Sequence, residues 1–524
     1  MKAMEVDLAV VGAGPAGLAT ALALRRVLPP NTTIALFEAR AVESAHGAGV
    51  DLLVNGLRAL EAIVPCAVHR MYEQGIYKMR FQFYEERTWE FMRESPYDRR
   101  KDLDEHQHTS INIGWGRATQ ILQEALPEGT TVHRGTKLAD VRELSPEEQA
   151  AAGGFRYTLS LERTAEAGAG ATAGAGAAGG ERLEVRARWL VGADGYFSRV
   201  RRQVGDGVAP EFCDEVIWWA NVTAEDLAAA GADWPAALRD MGGLQSVAVG
   251  YVPGGASPIT MPRFFLALRA SVPVIGSRRD NKGAADAEEQ GGEAAGLQQD
   301  LGVWALQARP EDMAAAGVPF PAPDLAPGEE SPALARALAT FSFLPDDVRA
   351  FLAATKPDQV MERNIHKHPW EKFAPGGWAN GRGMVLVGDA AHAPGRPNGQ
   401  GTNTAFEDAV VLAACVKKHG LGDEAFAAYE AIQQKRVGDI FGASAGLSLA
   451  ERTALLRGVT FKPLWSPADL PVPVASTEEG LAWSHARVRE IVQRRARVDT
   501  SAGAEGGGEV GRQAEARKQA VAAA

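Results

Sequence analysis

Gly12, Gly14 and Gly17 stand in the spacing G-x-G-x-x-G, and Glu38 follows twenty-one positions after the last of them. Such glycines let a chain turn tightly, bring backbone against a pyrophosphate, and pack the next helix on the preceding strand. Ala13, Pro15 and Ala16 complete the turn, GAGPAG. A carboxylate at Glu38 suits a ribose hydroxyl. Two further acids, Asp194 in GADG and Asp389 in GDAAH, follow the apolar runs WLV and MVLV. An acid at the C-terminal end of a strand stands where open α/β sheets bind ligands. The chemistry these residues suit is the holding of a dinucleotide.

The flanking elements must position them. Val6–Val11 is a short β-branched run that reads as a buried strand. Residues 16–28 read as a helix, whose positive N-terminal end would face the phosphates. Thr33–Phe37 reads as the second strand. A second glycine match at 174–179 lies in an Ala/Gly tract with no strand before it, and reads as loop. The tract, 164–181, is flanked by RYTLSLER and RLEVRARWLV, which alternate as the two strands of a hairpin do. Aromatic or β-branched runs at 245–252, 263–269 and 302–307 predict an antiparallel sheet with one covered face. Helical material is expected at 333–355, 422–446 and 475–497. The pattern predicts a helix over 402–418, capped by Thr402 or Asn403, favoured at its end by Lys417 and Lys418, and stopped by Gly420. Polar, Gly-rich stretches at 278–298 and 499–524 read as loop and tail. The architecture expected is α/β: a discontinuous Rossmann-like domain interrupted by a sheet domain.

Length and composition exclude several classes. The chain has 524 residues, 46% of them apolar, and a formal net charge of −11. That balance disfavours general nucleic-acid binding and an anionic membrane surface. Cys66, Cys213 and Cys415 match no metal spacing and read as thiols in a reducing compartment; no metal site is expected. No apolar run approaches the roughly 20 residues that span a bilayer, and the first strand begins too early for a leader. A cytoplasmic location is the expectation. The oligomeric state is not legible.

GAGPAG, GADGYFSRVRR and GDAAH…GQGTNTAFEDA occur in the order found in one family. Over about residues 5 to 440 the chain resembles the single-component class A flavin-dependent monooxygenases, related to para-hydroxybenzoate and salicylate hydroxylases. The resemblance implies FAD as bound cofactor, with NADPH or NADH as transient reductant. It implies hydroxylation or epoxidation of a small aromatic or apolar substrate by O2, through a flavin hydroperoxide. It implies an FAD-binding domain at 1–75, 109–212 and 360–445, a substrate domain at 76–108 and 213–359, a C-terminal helical segment at 446–498, and a disordered tail at 499–524.

Carried over residue by residue, Gly12, Gly14 and Gly17 would cradle the pyrophosphate and Glu38 the ribose. Arg40 would lie on the route of the moving flavin. Gly49 and Val50 would pass the flavin ring, and Arg117 would contact phosphate. Asp194 and Gly195 would serve both nucleotides, and Asp389 would hold the ribityl chain. Gly401, Thr402 and Asn403 would offer backbone N–H groups to the flavin's pyrimidine edge. Where many relatives carry a proline four residues after the motif histidine, this chain has Arg396, between Pro394 and Pro397. His392 reads as structural. Trp218, Trp219, Tyr251, Phe264, Phe265 and Trp304 are candidates for an aromatic substrate wall. No catalytic base is assigned; His46, His366 and His368 are possible. An FAD-linked dehydrogenase and a non-catalytic flavin-binding paralogue remain as alternatives.

Overall fold

The computed structural model describes residues 3–41, 49–84, 91–96, 98–163, 182–239, 246–251, 264–273, 298–322, 331–395, 399–442 and 478–504. The first apolar run forms the strand Met4–Val11, with Leu8, Ala9 and Val10 fully buried. It lies inside a seven-stranded sheet, pairing in parallel with Ile34–Glu38 on one side and Arg182–Gly192 on the other. Thr130–Arg134 extends the sheet in parallel beyond Ile34–Glu38. Strand Arg182–Gly192 is long enough to take two partners along its other edge. Its first half runs antiparallel to Tyr157–Arg163, and its last three residues run parallel to Met384–Leu386. Elements on both faces bury the C-terminal halves of these central strands, so Leu8–Val11 and Leu190–Val191 read as apolar runs, whereas their first halves alternate. The expected hairpin flanks pair as read, while the tract between them, with the second glycine match, lies outside the described residues.

Helix Pro15–Val27 leaves the first strand with Pro15 in its first turn and Arg25 and Arg26 in its last. It packs against Gly401–His419, which ends at Gly420 (φ +80°) with Lys417, Lys418 and His419 in its last turn. The start of this second helix differs from the expectation. Its N-cap is Gln400, no side chain caps it, and Thr402 and Asn403 lie inside the first turn.

The second sheet has nine strands. In spatial order they are Met361–Lys367, Glu211–Thr223, Gln298–Ala308, Phe264–Pro273, Ser246–Tyr251, Ile76–Tyr84, Ile111–Gly114 and Gly49–Leu52, with Phe91–Pro96 paired to Ile76–Tyr84. The expected antiparallel pairing holds except that Ser246–Tyr251 runs parallel to Ile76–Tyr84. Val216, Trp218, Ala220, Trp304 and Leu306 are buried on one face, packed with Phe341, Val348 and Phe351. The segment read as helical over 333–355 is two helices, Ala333–Thr340 and Asp346–Ala353, broken before Pro345. Helix Glu478–Ala504 runs past the expected end at 498 and packs on helix Pro65–Gln74. No helix among the described residues is long and apolar enough to cross a membrane.

Candidate functional site

The first motif is sterically closed to anything but glycine at two positions. Gly12 has φ +102°, and a Cβ there would lie 2.2 Å from the Ala193 carbonyl oxygen. A Cβ on Gly17 would lie 2.0 Å from the Gly12 carbonyl oxygen. At both places the backbones of the helix, the turn and the GADG turn approach too closely to admit a side chain. Gly14 is the N-cap of helix Pro15–Val27, and no side chain caps that helix. The first N–H groups of an uncapped helix are open to an anion. The Glu38 carboxylate accepts from the Ala13 N–H at 3.0 Å and the Arg40 N–H at 2.9 Å, fixing the ends of both strands.

Asp194 is engaged with its own turn. It accepts from the Ser198 hydroxyl at 2.5 Å and the backbone N–H groups of Arg199 and Val200, while Gly195 takes φ +79° beside it. Burial raises its carboxyl above the usual range, and these donors oppose the rise. Arg201, almost fully buried, grips Asp206 with two nitrogens at 2.7 and 2.8 Å. Its remaining nitrogen donates to the carbonyls of Ala390 and Ala391. One guanidinium therefore ties the second motif to the third.

Gly388 (φ +58°) starts the third motif with its Cα against helix Pro15–Val27, since a Cβ there would meet the Ala16 methyl at 2.7 Å. Asp389 follows, half-buried. Burial raises its carboxyl, with His392 and Arg363 opposing. A Cβ on Gly401 would lie 3.8 Å from Asp389 Oδ1, so the acid stands beside the second uncapped helix start. His392 is buried, with Nε2 2.7 Å from Asp408, which also accepts from the Gly388 N–H and from Gln433. Burial works against a charged His392, but Asp408 overcomes it and raises the imidazole. This histidine is a bracket for the loop. Arg396 and Pro397 lie outside the described residues.

Asn403 joins the helix start to the strand Gly49–Leu52. Its amide donates to the Asp51 and Gly399 carbonyls at 2.8 and 2.5 Å, and its oxygen accepts from the Leu53 N–H at 2.8 Å. Gly56 is required below it, because a Cβ there would lie 2.0 Å from the Asn403 oxygen. Gly49 and Val50 pair with Gly114 and Ile113, and a Cβ on Gly49 would strike the Asn112 side chain.

A pocket at the other end is lined by Ala13, Glu38, Arg40, Trp115, Gly116, Thr119 and Arg134. The Arg40 guanidinium lies 5.1 Å from the centre of the Trp115 ring. Arg117, on the same helix as Trp115, donates to Gln74 and Gln120. Burial lowers Arg40, Glu38 opposes, and Arg363 and Arg134 add repulsion. Arg363 is a residue that sequence reasoning missed. It comes from the second sheet, acts on both Arg40 and Asp389, and stands 5.8 Å from the Trp219 ring centre. No motif marks it, and the half-buried strand that carries it is visible only in the structure.

The expected aromatic wall divides. Trp218 and Trp304 are fully buried on the helix-covered face, donating to Glu362 and Thr355, and belong to the core. Trp219 lies on the opposite face, half-buried, and its indole N–H has no hydrogen-bond partner among the described residues. The side chains of Tyr251, Phe264 and Phe265 lie outside the described residues, as does His46. His366 stacks on Tyr196 at 5.7 Å and contacts the Asn364 carbonyl. His368 is buried; burial, with Arg201 and His392 nearby, pushes it down to about 3, so it is neutral at pH 7.

Residues 5–238 match the model of a protein family described as the FAD binding domain. A stretch of 97 residues is 39% identical to kynurenine 3-monooxygenase of Xanthomonas campestris pv. campestris, covering 17% of this chain and 21% of that protein. The match thus spans about a fifth of that relative's length. Among solved structures, the fold is similar to Klebsiella pneumoniae HpxO complexed with FAD and uric acid, at TM-score 0.52 and 17% identity over 93% of this chain and 97% of that one. It is also similar to 2,6-dihydroxypyridine-3-hydroxylase from Arthrobacter nicotinovorans, at TM-score 0.54 and 15% identity over 87% and 94% of the two chains.

Proposed function

We propose that this chain, whose residues 5–238 form a domain of the FAD-binding family, is a single-component monooxygenase. It uses NADPH or NADH and O2 to hydroxylate a small aromatic or apolar molecule. The observation that carries the reading is one run of neighbouring groups. Gly388 approaches Ala16 too closely to carry a side chain, Gly401 stands beside Asp389, and Asn403 bonds to Asp51. Along it stand two uncapped helix starts and an acid, the parts that a long, doubly charged nucleotide needs. The glycine cradles at 12 and 17 fit such a group, because any side chain there would fill the space against backbone.

In this reading the amides after Gly14, with Ala13, Pro15 and Ala16 around them, hold the pyrophosphate, helped by Arg117. Glu38 has lone pairs left for ribose hydroxyls beyond the two backbone bonds it accepts. Asp389 takes the ribityl hydroxyls. The first N–H groups of the helix at Gly401, Thr402 and Asn403 stabilise negative charge on the pyrimidine edge of the ring. Gly49 and Val50 pass the ring on its other side. Arg40 and Arg363 flank the cleft as cations for the reductant's phosphates. Asp194 and Gly195 shape the turn between them. FAD, when bound, supplies hydride acceptance and oxygen activation. The protein orients the substrate against the face of the second sheet opposite the helices Ala333–Thr340 and Asp346–Ala353, where Trp219 stands, and keeps water out. Small molecules rather than nucleic acid are its partners, in keeping with the charge of −11, and the cytoplasm is its place. The two-domain division belongs to the same reading; the existence of two sheets supports it, while Gly49–Leu52, Ile111–Gly114 and Met361–Lys367, from the FAD-binding segments, pair into the second sheet.

The test is turnover of purified protein with NADPH under labelled O2, across a panel of phenols, purines and terpenoids. A yellow protein whose product carries the oxygen label is expected. Substrate-dependent NADPH oxidation without label means a dehydrogenase instead, and bound flavin with no turnover means a binding protein.

A further inference from the structure

A second polar cluster lies away from the cleft, where the C-terminal helix meets the body of the protein. Glu61 is 2% exposed. One of its oxygens, Oε2, lies 3.0 Å from His108 Nε2 and 3.0 Å from His485 Nε2. These ligand atoms lie within 4.8 Å of one another. The other oxygen, Oε1, accepts from the Ser484 hydroxyl at 2.5 Å, and His69 contacts that hydroxyl at 2.9 Å. Glu61 comes from helix Val54–Ile63, His108 from the turn before strand Ile111–Gly114, and His485 from helix Glu478–Ala504.

The hydrogen count at Tyr72 sets the role of the far side of the His108 ring. Its hydroxyl donates to the Thr109 carbonyl at 2.9 Å and accepts from the Thr109 N–H at 3.1 Å. It also lies 3.2 Å from His108 Nδ1. A hydroxyl has one hydrogen. With that hydrogen on Thr109, the contact with His108 leaves Nδ1 as the donor, and the ring presents Nε2 to the Glu61 carboxylate. The same carboxylate oxygen faces Nε2 of His485, so three ligand atoms from three separate elements converge on one spot.

We propose that Glu61, His108 and His485 form a binding site for a divalent transition-metal ion of the zinc type, which fastens the C-terminal helix to the body. Two imidazoles and a carboxylate are a zinc donor set. The outer groups match what such ligands need: His108 gives its other N–H to an oxygen, and the ligating carboxylate is itself hydrogen-bonded through Ser484. Bonds of about 2.0–2.2 Å in a tetrahedral site set ligand atoms roughly 3.3 Å apart, close to the 3.0 Å that separates each imidazole nitrogen from the carboxylate oxygen. His485, whose side chain is 27% exposed, is the open side, where water supplies the fourth ligand. The set joins positions 47 and 424 residues apart, which no sequence spacing reveals.

The experiment uses tag-free, flavin-loaded protein freed of metal with a chelator, then titrated with zinc chloride by calorimetry. About one equivalent is expected to bind at micromolar affinity or tighter, with a rise in Tm. His485→Ala should weaken binding about 100-fold and abolish the Tm rise while the flavin absorbance stays. Cobalt(II) added to the unmutated protein should give the visible band of a four-coordinate site, a readout that holds even if the variant fails to fold. No zinc heat, no cobalt band, or equal zinc binding by His485→Ala would overturn the site and leave protons alone between these groups.

Discussion

Asp389 is an acid held where a neutral carboxyl would be more comfortable. Burial is the main cause of its raised pKa, and His392 and Arg363 only moderate it. The folded protein therefore keeps this proton more tightly than the unfolded chain, whose carboxyl ionises near about 3.9. The stability contribution is complete below that value and is lost as pH rises towards the folded-state value. In flavin-free protein, Asp389→Asn should thus gain stability relative to the parent as pH climbs above about 4. The same variant should hold FAD roughly 10- to 100-fold more weakly, the effect of a charged hydrogen bond worth about 1.5–3 kcal/mol. Denaturant midpoints across pH and fluorescence titration with FAD measure the two effects; parallel pH profiles would refute the first. The need for glycine at Gly12 and Gly17 was legible because it is dictated by geometry local to a strand end. Arg363 was not, because its neighbours Arg40, Trp219 and Asp389 come from three distant stretches. The split between Trp218 and Trp219 was hidden for another reason: alternation puts them on opposite faces, but it does not say which face the helices cover.

At the scale of elements, the join between helix Gly401–His419 and strand Gly49–Leu52 depends on one side chain. Asn403→Ala would leave the Asp51 and Gly399 carbonyls and the Leu53 N–H without their partner. Unpaired buried groups cost roughly 1–3 kcal/mol each and do not add fully, so a loss of about 2–4 kcal/mol is expected. Flavin release should accompany it at lower urea than in the parent. Urea unfolding followed by tryptophan and flavin fluorescence checks both; an unchanged midpoint would show the join to be dispensable. This helix was legible in extent, end and charge. Its start was misread because Thr402 and Asn403 look like caps, whereas the fold leaves that start bare and turns Asn403 sideways onto another element. The one parallel pair in the second sheet was equally hidden, since strand direction is set by connections and not by composition.

For the molecule as a whole, the motif order carried the architecture: three strand-end turns far apart in sequence signalled one sheet completed late. The inserted sheet was visible as a change of texture, but its sharing of strands with the flanking segments was not, because Gly49–Leu52 and Ile111–Gly114 carry no mark of which sheet they join. That late completion has a consequence for synthesis. Translation delivers Gly12 first, yet Met384–Leu386, Asp389 and the Gly401 helix start emerge only after most of the polypeptide has left the ribosome. Until then the last turn of strand Arg182–Gly192 has a free edge and the nucleotide has only half a berth. Nascent chains stalled before residue 384 should therefore fail to quench added FAD, and chains stalled once residue 442 has cleared the exit tunnel should succeed.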